Sequence, residues 1–416
     1  MRRYLPLVCL ALLHTVVDTS ALLVSPLWHR ITVECGLVGI SLVVVMLAHS
    51  MPTSLSQGVF GILRERRRMR ILLLVGPVVA AICLTWVGVV AAEGRVGWLC
   101  VLFVVGGVSV GAFHPEAAVR AGTLLPENRT RGLAIFMLGG SLGLSLGPLL
   151  SGLMVDLFDL QGLLYLMPGM VLVILLLYWG MSRSESVEVV EPVAKAGGRP
   201  PGLAEMFDGR IGLAWSLLLV CSCRLVPNMG MSKVISFALA DRHFDGRTIG
   251  MVQSLFLVSA SVGMTLLAMA FPVGLERRFM VVCPLLGLPL LAVWGWEGCP
   301  TWLLITVLVP MGLVLWGTTP TMVSYAQQIF PRGAGVASAI TMGLAWGGGG
   351  LIEAPFTAYF QDIGRPQLAV WAFLPFVAIA GLSAMWLPAA GSAGSVGAVG
   401  AVADADGDRE KSETGS

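Results

Sequence analysis

Twelve long apolar stretches recur along this chain with short polar gaps between them, and that rhythm limits what it can become. They fall at 4–27, 36–60, 71–92, 98–120, 132–155, 161–182, 211–235, 248–272, 279–296, 301–327, 334–359 and 367–388. About 20 apolar residues, each rising about 1.5 Å along a helix, cross the hydrocarbon core of a bilayer. Inside that core every backbone N–H and C=O must be paired within the chain, which favours helices. Composition agrees. The chain is 56% hydrophobic and only 12% charged, whereas soluble proteins carry about 25% charged residues. The expected fold class is therefore an all-α membrane protein with twelve transmembrane helices in two pseudo-symmetric six-helix bundles.

The gaps give the orientation. Those after even-numbered segments hold the arginine-rich runs, such as Arg64–Arg70, Arg129 with Arg131, and Arg277 with Arg278. Those after odd-numbered segments hold only Arg30, Arg95, Arg242, Arg247 and Arg365. The basic side is cytoplasmic by the positive-inside rule. Both termini then lie in the cytoplasm, as expected for a multi-pass protein of a bacterial plasma (inner) membrane. Met1-Arg2-Arg3 followed by an apolar run imitates a signal peptide, but Asp18 interrupts the run and no cleavage pattern follows.

Four regions are expected: a six-helix bundle over 1–183, a polar cytoplasmic linker over 184–210, a second bundle over 211–390, and a disordered cytoplasmic tail over 391–416. The halves echo one another. Gly61-Ile-Leu-Arg-Glu65-Arg66-Arg67 follows the second segment, and Gly274-Leu-Glu276-Arg277-Arg278 follows the eighth. Both halves begin and end on the same side, so the repeat is parallel, and transporters built this way hold substrate between the halves.

Ionisable residues inside the apolar segments are the candidate site, because each costs on the order of 3 kcal/mol to insert and so faces a cavity or a partner. His14 and Asp18 are four apart and share a helix face. Asp18 is the first choice for proton coupling, and a fixed pair with His14 or Arg224 is the alternative. The fourth segment carries His114-Pro115-Glu116, with Arg120 one turn on; a structural Glu116–Arg120 pair and a direct role of His114 and Glu116 in proton coupling beside His14 and Asp18 are equal readings. Pro115 frees the carbonyl of Gly111, and that glycine admits a neighbouring backbone.

Arg224, with Asn228 one turn later, is either a counter-charge for an anionic substrate or half of an ion pair with Asp18 or Glu353. Lys233 reads as a snorkelling rim residue, His49 as a packing residue or a substrate contact, and Glu353 as a gate ion pair or second proton site. In the fifth segment Gly139, Gly143 and Gly147-Pro148 form a smooth, flexing stripe. The eight cysteines suggest neither a disulfide framework nor a metal site. No nucleophile–base set or nucleotide loop appears, which disfavours an enzyme. No cofactor, metal or nucleic acid is expected. The expected partners are protons, a small-molecule substrate and the lipid bilayer, with the chain acting as a monomer.

His14-x-x-x-Asp18, Phe113-His114-Pro115-Glu116-Ala117, Gly139-x-x-x-Gly143-x-x-x-Gly147-Pro148 and the run Pro320–Gly350 together resemble the fosmidomycin-resistance branch of the major facilitator superfamily. The resemblance covers most of 4–388. Gly61-x-Leu63-x-Glu65-Arg66-x-Arg68-x-Arg70 is similar to the superfamily's loop signature, with Glu65 for the usual Asp and Arg68 for the usual Gly. The arginine usual in the fourth helix of drug exporters is absent before Gly106. The resemblance implies alternating access, a cavity lined by the first, fourth, seventh and tenth helices, and proton-driven efflux of a small anionic or amphipathic antibiotic. Tyr325 and Gln327 in the tenth segment join Arg224, Asn228 and His49 as candidate substrate contacts. Gly61, Glu65, Arg66 and Arg70 are candidate gating residues. The alternatives are a proton-coupled importer of a small organic anion and, less favoured, a non-transporting membrane receptor.

Overall fold

The computed structural model describes residues 4–66, 69–125, 128–184, 203–270, 274–331 and 333–389. Most of the expected linker and all of the expected tail lie outside this set, as do the side chains of Glu65 and Arg66. The described chain is helical throughout, with no strand. Twelve main helices follow one another: α1 (Leu5–Leu22), α2 (Ile40–Arg66), α3 (Leu72–Ala92), α4 (Val96–Leu124), α5 (Arg129–Phe158), α6 (Leu166–Ser184), α7 (Ile211–Asp241), α8 (Gly246–Ala270), α9 (Glu276–Gly295), α10 (Leu308–Ile329), α11 (Ala345–Asp362) and α12 (Ala369–Ser383). Eleven helical segments are long and apolar enough to cross a membrane. The remaining crossing, α11, is entered through a short helix and a turn of π-helix at Ile340–Leu344. Widened turns of this kind recur at functional sites.

Local chemistry sets several boundaries. The Asn128 side chain accepts from the Arg131 N–H at 2.9 Å and caps α5. Asp245 does the same for α8 through the Thr248 N–H at 2.7 Å. Each satisfies a backbone donor that the first turn would otherwise leave open. Gly39 adopts φ +52° just before α2, a conformation glycine reaches without penalty.

The packing repeats with a period of six helices. In the first half α1 packs on α5 and α6, and α4 on α2 and α3; in the second, α7 packs on α11 and α12, and α10 on α8 and α9. The halves meet through α5 against α8 and α2 against α11, which exchange under the same six-helix shift. That recurrence is the pseudo-symmetry expected from sequence, now visible in which helices pack together.

The glycine stripe of α5 explains how close this packing is. A methyl group on Gly139, Gly143 or Gly147 would meet the carbonyls of Ala11, Thr15 and Thr19 on α1 at 2.1, 2.4 and 2.7 Å. The Thr15 hydroxyl donates to the Gly139 carbonyl at 2.8 Å across the same seam. One turn on, the stripe changes partner: a methyl on Gly152 would meet the Gly246 carbonyl of α8 at 2.5 Å, and one on Gly250 would meet the Pro148 carbonyl at 2.3 Å. One helix therefore carries a tight seam within its own bundle and another between bundles.

Further contacts between the halves run from one end of the molecule to its middle. Asp362 accepts from the Gly39 N–H at 2.6 Å, Ser236 donates to the Pro26 carbonyl at 2.8 Å, and Gln253 donates to the Ser25 carbonyl at 3.1 Å. Nearer the centre, Ser254 donates to the Ser145 carbonyl at 2.7 Å. These bonds are neutral or involve one charge, and most end on backbone carbonyls.

Candidate functional site

Three ionisable side chains converge where α1, α4 and α5 meet. His14 and Asp18 face the same way because they lie one turn apart on α1, with His14 Nε2 3.2 Å from Asp18 Oδ2. His114 reaches in from α4, placing Nε2 3.2 Å from Asp18 Oδ1 and 3.2 Å from His14 Nε2. The second nitrogen of each ring is committed elsewhere. His14 Nδ1 donates to the Phe136 carbonyl at 2.8 Å, and His114 Nδ1 donates to the Val110 carbonyl at 2.8 Å. A carbonyl can only accept, so each Nδ1 carries a proton, and in a neutral ring Nε2 is then the lone pair. Two Nε2 lone pairs and a carboxylate then crowd together. Three acceptors at this separation repel unless at least one cation sits among them, and a proton is the simplest.

The surroundings fit this cluster. Phe136 stacks on His14 with ring centroids 4.0 Å apart. Gly140 lies directly behind it: a methyl there would fall 2.4 Å from His14 Cε1 and 2.8 Å from Asp18 Oδ2. Sequence reasoning named Gly139 and Gly143 but missed Gly140 and Phe136. The doublet Gly139-Gly140 was the available signal, since one glycine of the pair must face away from the stripe.

Glu116 is not part of this cluster. It was expected to pair with Arg120, yet its carboxylate meets Arg64 of α2 at 3.4 Å and accepts from the Met69 N–H at 3.4 Å. The close approach at Gly111 accounts for this. A methyl on Gly111 would lie 2.5 Å from the Thr53 carbonyl, so α2 and α4 are near enough for Glu116 to reach the α2–α3 connection. Glu116 thereby joins the neighbourhood of the loop motif. Gly61 there has open space around it, and Arg70 is exposed.

In the second half, Arg224 is buried on α7 with no carboxylate paired to it among the described residues. The expected partners are taken: Asp18 by the two histidines and Glu353 by Lys233. Arg224 donates to the Leu315 carbonyl at 2.8 Å and to Thr319 Oγ1 at 3.4 Å on α10. Its Nε has no hydrogen-bond partner among the described residues. Asn228 donates to the same Leu315 carbonyl at 3.4 Å, and its own oxygen has no partner among the described residues. The two residues thus share one face of α7 toward α10, as their spacing predicted.

Lys233 corrects an expectation. It is not a rim residue: it is buried, and its Nζ lies 2.5 Å from Glu353 Oε1. Thr357 donates to the other Glu353 oxygen at 2.7 Å. Trp28, from the first half, covers the ammonium with its ring centroid 5.6 Å away. Snorkelling suits a lysine at a helix end facing lipid, but this position faces α11. The remaining candidates lie apart. His49 packs edge-on to Trp28 and Phe103 with centroids 5.4 and 5.1 Å away. Tyr325 donates to the Pro388 carbonyl at 2.7 Å near the end of α12, and exposed Gln327 donates to Ser338 at 2.8 Å. Neither of these two groups with Arg224. All eight cysteines are free.

Comparison with known proteins follows the same outline. The chain is 26% identical to the uncharacterized MFS-type transporter YfnC of Bacillus subtilis over 394 residues, 92% of each chain. It is 24% identical to the fosmidomycin resistance protein of Escherichia coli over 390 residues, 91% of each. Its fold matches the crystal structure of the nucleoside transporter NupG with a TM-score of 0.69 at 13% identity, covering 92% of this chain and 99% of that one. The family model of the Major Facilitator Superfamily matches residues 9–353. The chain therefore belongs to the Major Facilitator Superfamily and is a membrane transporter, not an enzyme.

Proposed function

We propose that this transporter exports a small anionic or amphipathic compound in exchange for protons, by alternating access between its two bundles. The observation that carries the reading is the Asp18 carboxylate held between His14 and His114, each 3.2 Å away. A carboxylate between two imidazoles is a proton-holding centre whose occupancy changes the charge at the α1–α4 contact. The same cluster rests on Gly140 of α5, and α5 continues into the seam with α8 of the other half. A change in protonation is thus linked by rigid packing to the surface along which the bundles would rock.

The substrate class follows from Arg224. A buried guanidinium without a carboxylate partner is costly, and its planar fork suits a carboxylate, phosphate or phosphonate. The relative named for fosmidomycin resistance agrees with an anionic cargo. Placed in a bacterial inner membrane with both termini cytoplasmic, as the arginine distribution favours, the Asp362–Gly39, Ser236–Pro26 and Gln253–Ser25 bonds between halves lie on the outer side, while α2 also meets the segment around Gly343 nearer the cytoplasm. The chain would work as a monomer, since each bundle supplies one part of the site.

The test is drug susceptibility of an efflux-deficient bacterium expressing the wild type or Asp18→Asn at matched membrane levels. The panel contains fosmidomycin, other phosphonates and several cationic drugs. Protection against anionic compounds by the wild type alone is expected. Protection that persists in Asp18→Asn removes Asp18 from the mechanism, and increased sensitivity of wild-type cells replaces export with import.

A further inference from the structure

We propose that His14, His114 and Asp18 also form a binding site for a divalent transition-metal ion, with Zn2+ the best fit. The inference shares residues with the proton reading but does not rest on it, because the convergence of acceptors holds whichever cation occupies it. Two imidazoles and a carboxylate are a ligand set for zinc and its neighbours in the first transition row. With metal–ligand bonds of about 2.0–2.1 Å, a tetrahedral ion sets its ligand atoms about 3.3 Å apart. The three contacts among His14 Nε2, His114 Nε2 and the Asp18 oxygens are each 3.2 Å. The two histidine contacts use different Asp18 oxygens; with one ligand atom taken from each residue, the three lie within 4.8 Å of one another, a separation that a turn of the carboxylate can close onto one ion.

The rings are also prepared for a metal. Metal-binding histidines usually donate their other N–H to a carbonyl or carboxylate, which fixes the tautomer and aims the free lone pair. His14 and His114 both do so, toward the Phe136 and Val110 carbonyls. Phe136 holds the His14 ring flat by stacking. Access is from the His114 side, where the side chain is 18% exposed while His14 is 4% exposed. Three protein ligands leave a fourth position open to water. Binding consumes no oxidant or reductant. The ion displaces whatever proton the cluster holds, so metal and proton compete, and excess Zn2+ would block proton coupling.

The experiment uses the full-length protein purified in detergent, stripped with chelator and titrated with Co2+ and then Zn2+. One Co2+ per chain is expected, with the intense visible absorption of a tetrahedral ion and no thiolate charge-transfer band. Zn2+ should displace it, and binding should weaken as the pH falls. His14→Ala and His114→Gln should each reduce affinity at least about tenfold, whereas His29→Ala and His243→Ala should not. Melting without metal establishes that the variants fold. A wild-type protein that shows no tetrahedral spectrum overturns the proposal even if the variants are unstable. Equal binding by folded His114→Gln, or a thiolate band, also overturns it by assigning the ion elsewhere. Metal binding with unchanged proton coupling in Asp18→Asn would keep this site and discard the proton reading.

Discussion

Lys233 on α7 and Glu353 on α11 form an ion pair of 2.5 Å in which the side chains are 5% and 0% exposed. The pair lies within the second bundle, but Trp28 of the first bundle covers it. Part of its cover therefore depends on that end of the two halves staying together. Removing one partner leaves a buried charge unmatched, at a cost of about 3–5 kcal/mol. Glu353→Gln should lower the melting temperature sharply, and the double variant Lys233→Met with Glu353→Met should recover most of the loss. Thermal melting in one detergent decides it. A single variant as stable as wild type would show that water already reaches the pair.

The glycines divide into two groups by what surrounds them. Gly139→Ala drives a methyl to 2.1 Å from the Ala11 carbonyl, and Gly140→Ala drives one to 2.4 Å from His14. The first should fold poorly because a backbone must shift. The second should retain expression better, since side chains yield more easily, but lose coupled transport. Gly61→Ala meets nothing within 4 Å and should gain about 0.5–1 kcal/mol of helix stability. Expression, melting and uptake in vesicles for the three variants separate packing from coupling. A transport defect in stable Gly61→Ala would mark the loop motif as a moving part.

Arg224→Lys keeps the charge and loses the fork. Transport of anionic compounds should fall about tenfold, the loss of one charge-assisted hydrogen bond, with melting little changed. Neutral compounds should be affected less. Equal transport of both classes by both proteins would leave Arg224 as a helix-to-helix strut on the Leu315 carbonyl.

The Asp362–Gly39 contact of 2.6 Å ties the end of α11 to the start of α2. Asp362→Asn keeps an acceptor but removes its charge, which should weaken the hydrogen bond by about 1 kcal/mol. The expected result is faster labelling of a cysteine placed at Ser50, which lies deeper in the same seam beside Gly350. Unchanged labelling would mean that the other contacts between the halves keep this end shut without it.

Much of this protein could be read directly from its residues. Twelve apolar segments of membrane length leave few alternatives once backbone pairing in hydrocarbon is required, and the observed helices follow them. The spacing of His14 and Asp18, and of Arg224 and Asn228, fixed which pairs share a face, because helical periodicity is local. The glycines four apart in α5 announced a close contact for the same reason.

Which helix fills that contact is not a local property. Only the packed bundles show that Gly139, Gly143 and Gly147 receive α1 while Gly152 receives α8. Long-range packing also brought His114 to the Asp18 carboxylate, 96 positions earlier in the chain, and turned Glu116 toward Arg64 instead of Arg120. It moved Lys233 from an expected rim position to a buried pair with Glu353. In a membrane each charge needs a partner or a cavity, so the sequence determines that these groups must be matched. The matching depends on distances between helices far apart in the chain, which only the tertiary structure decides.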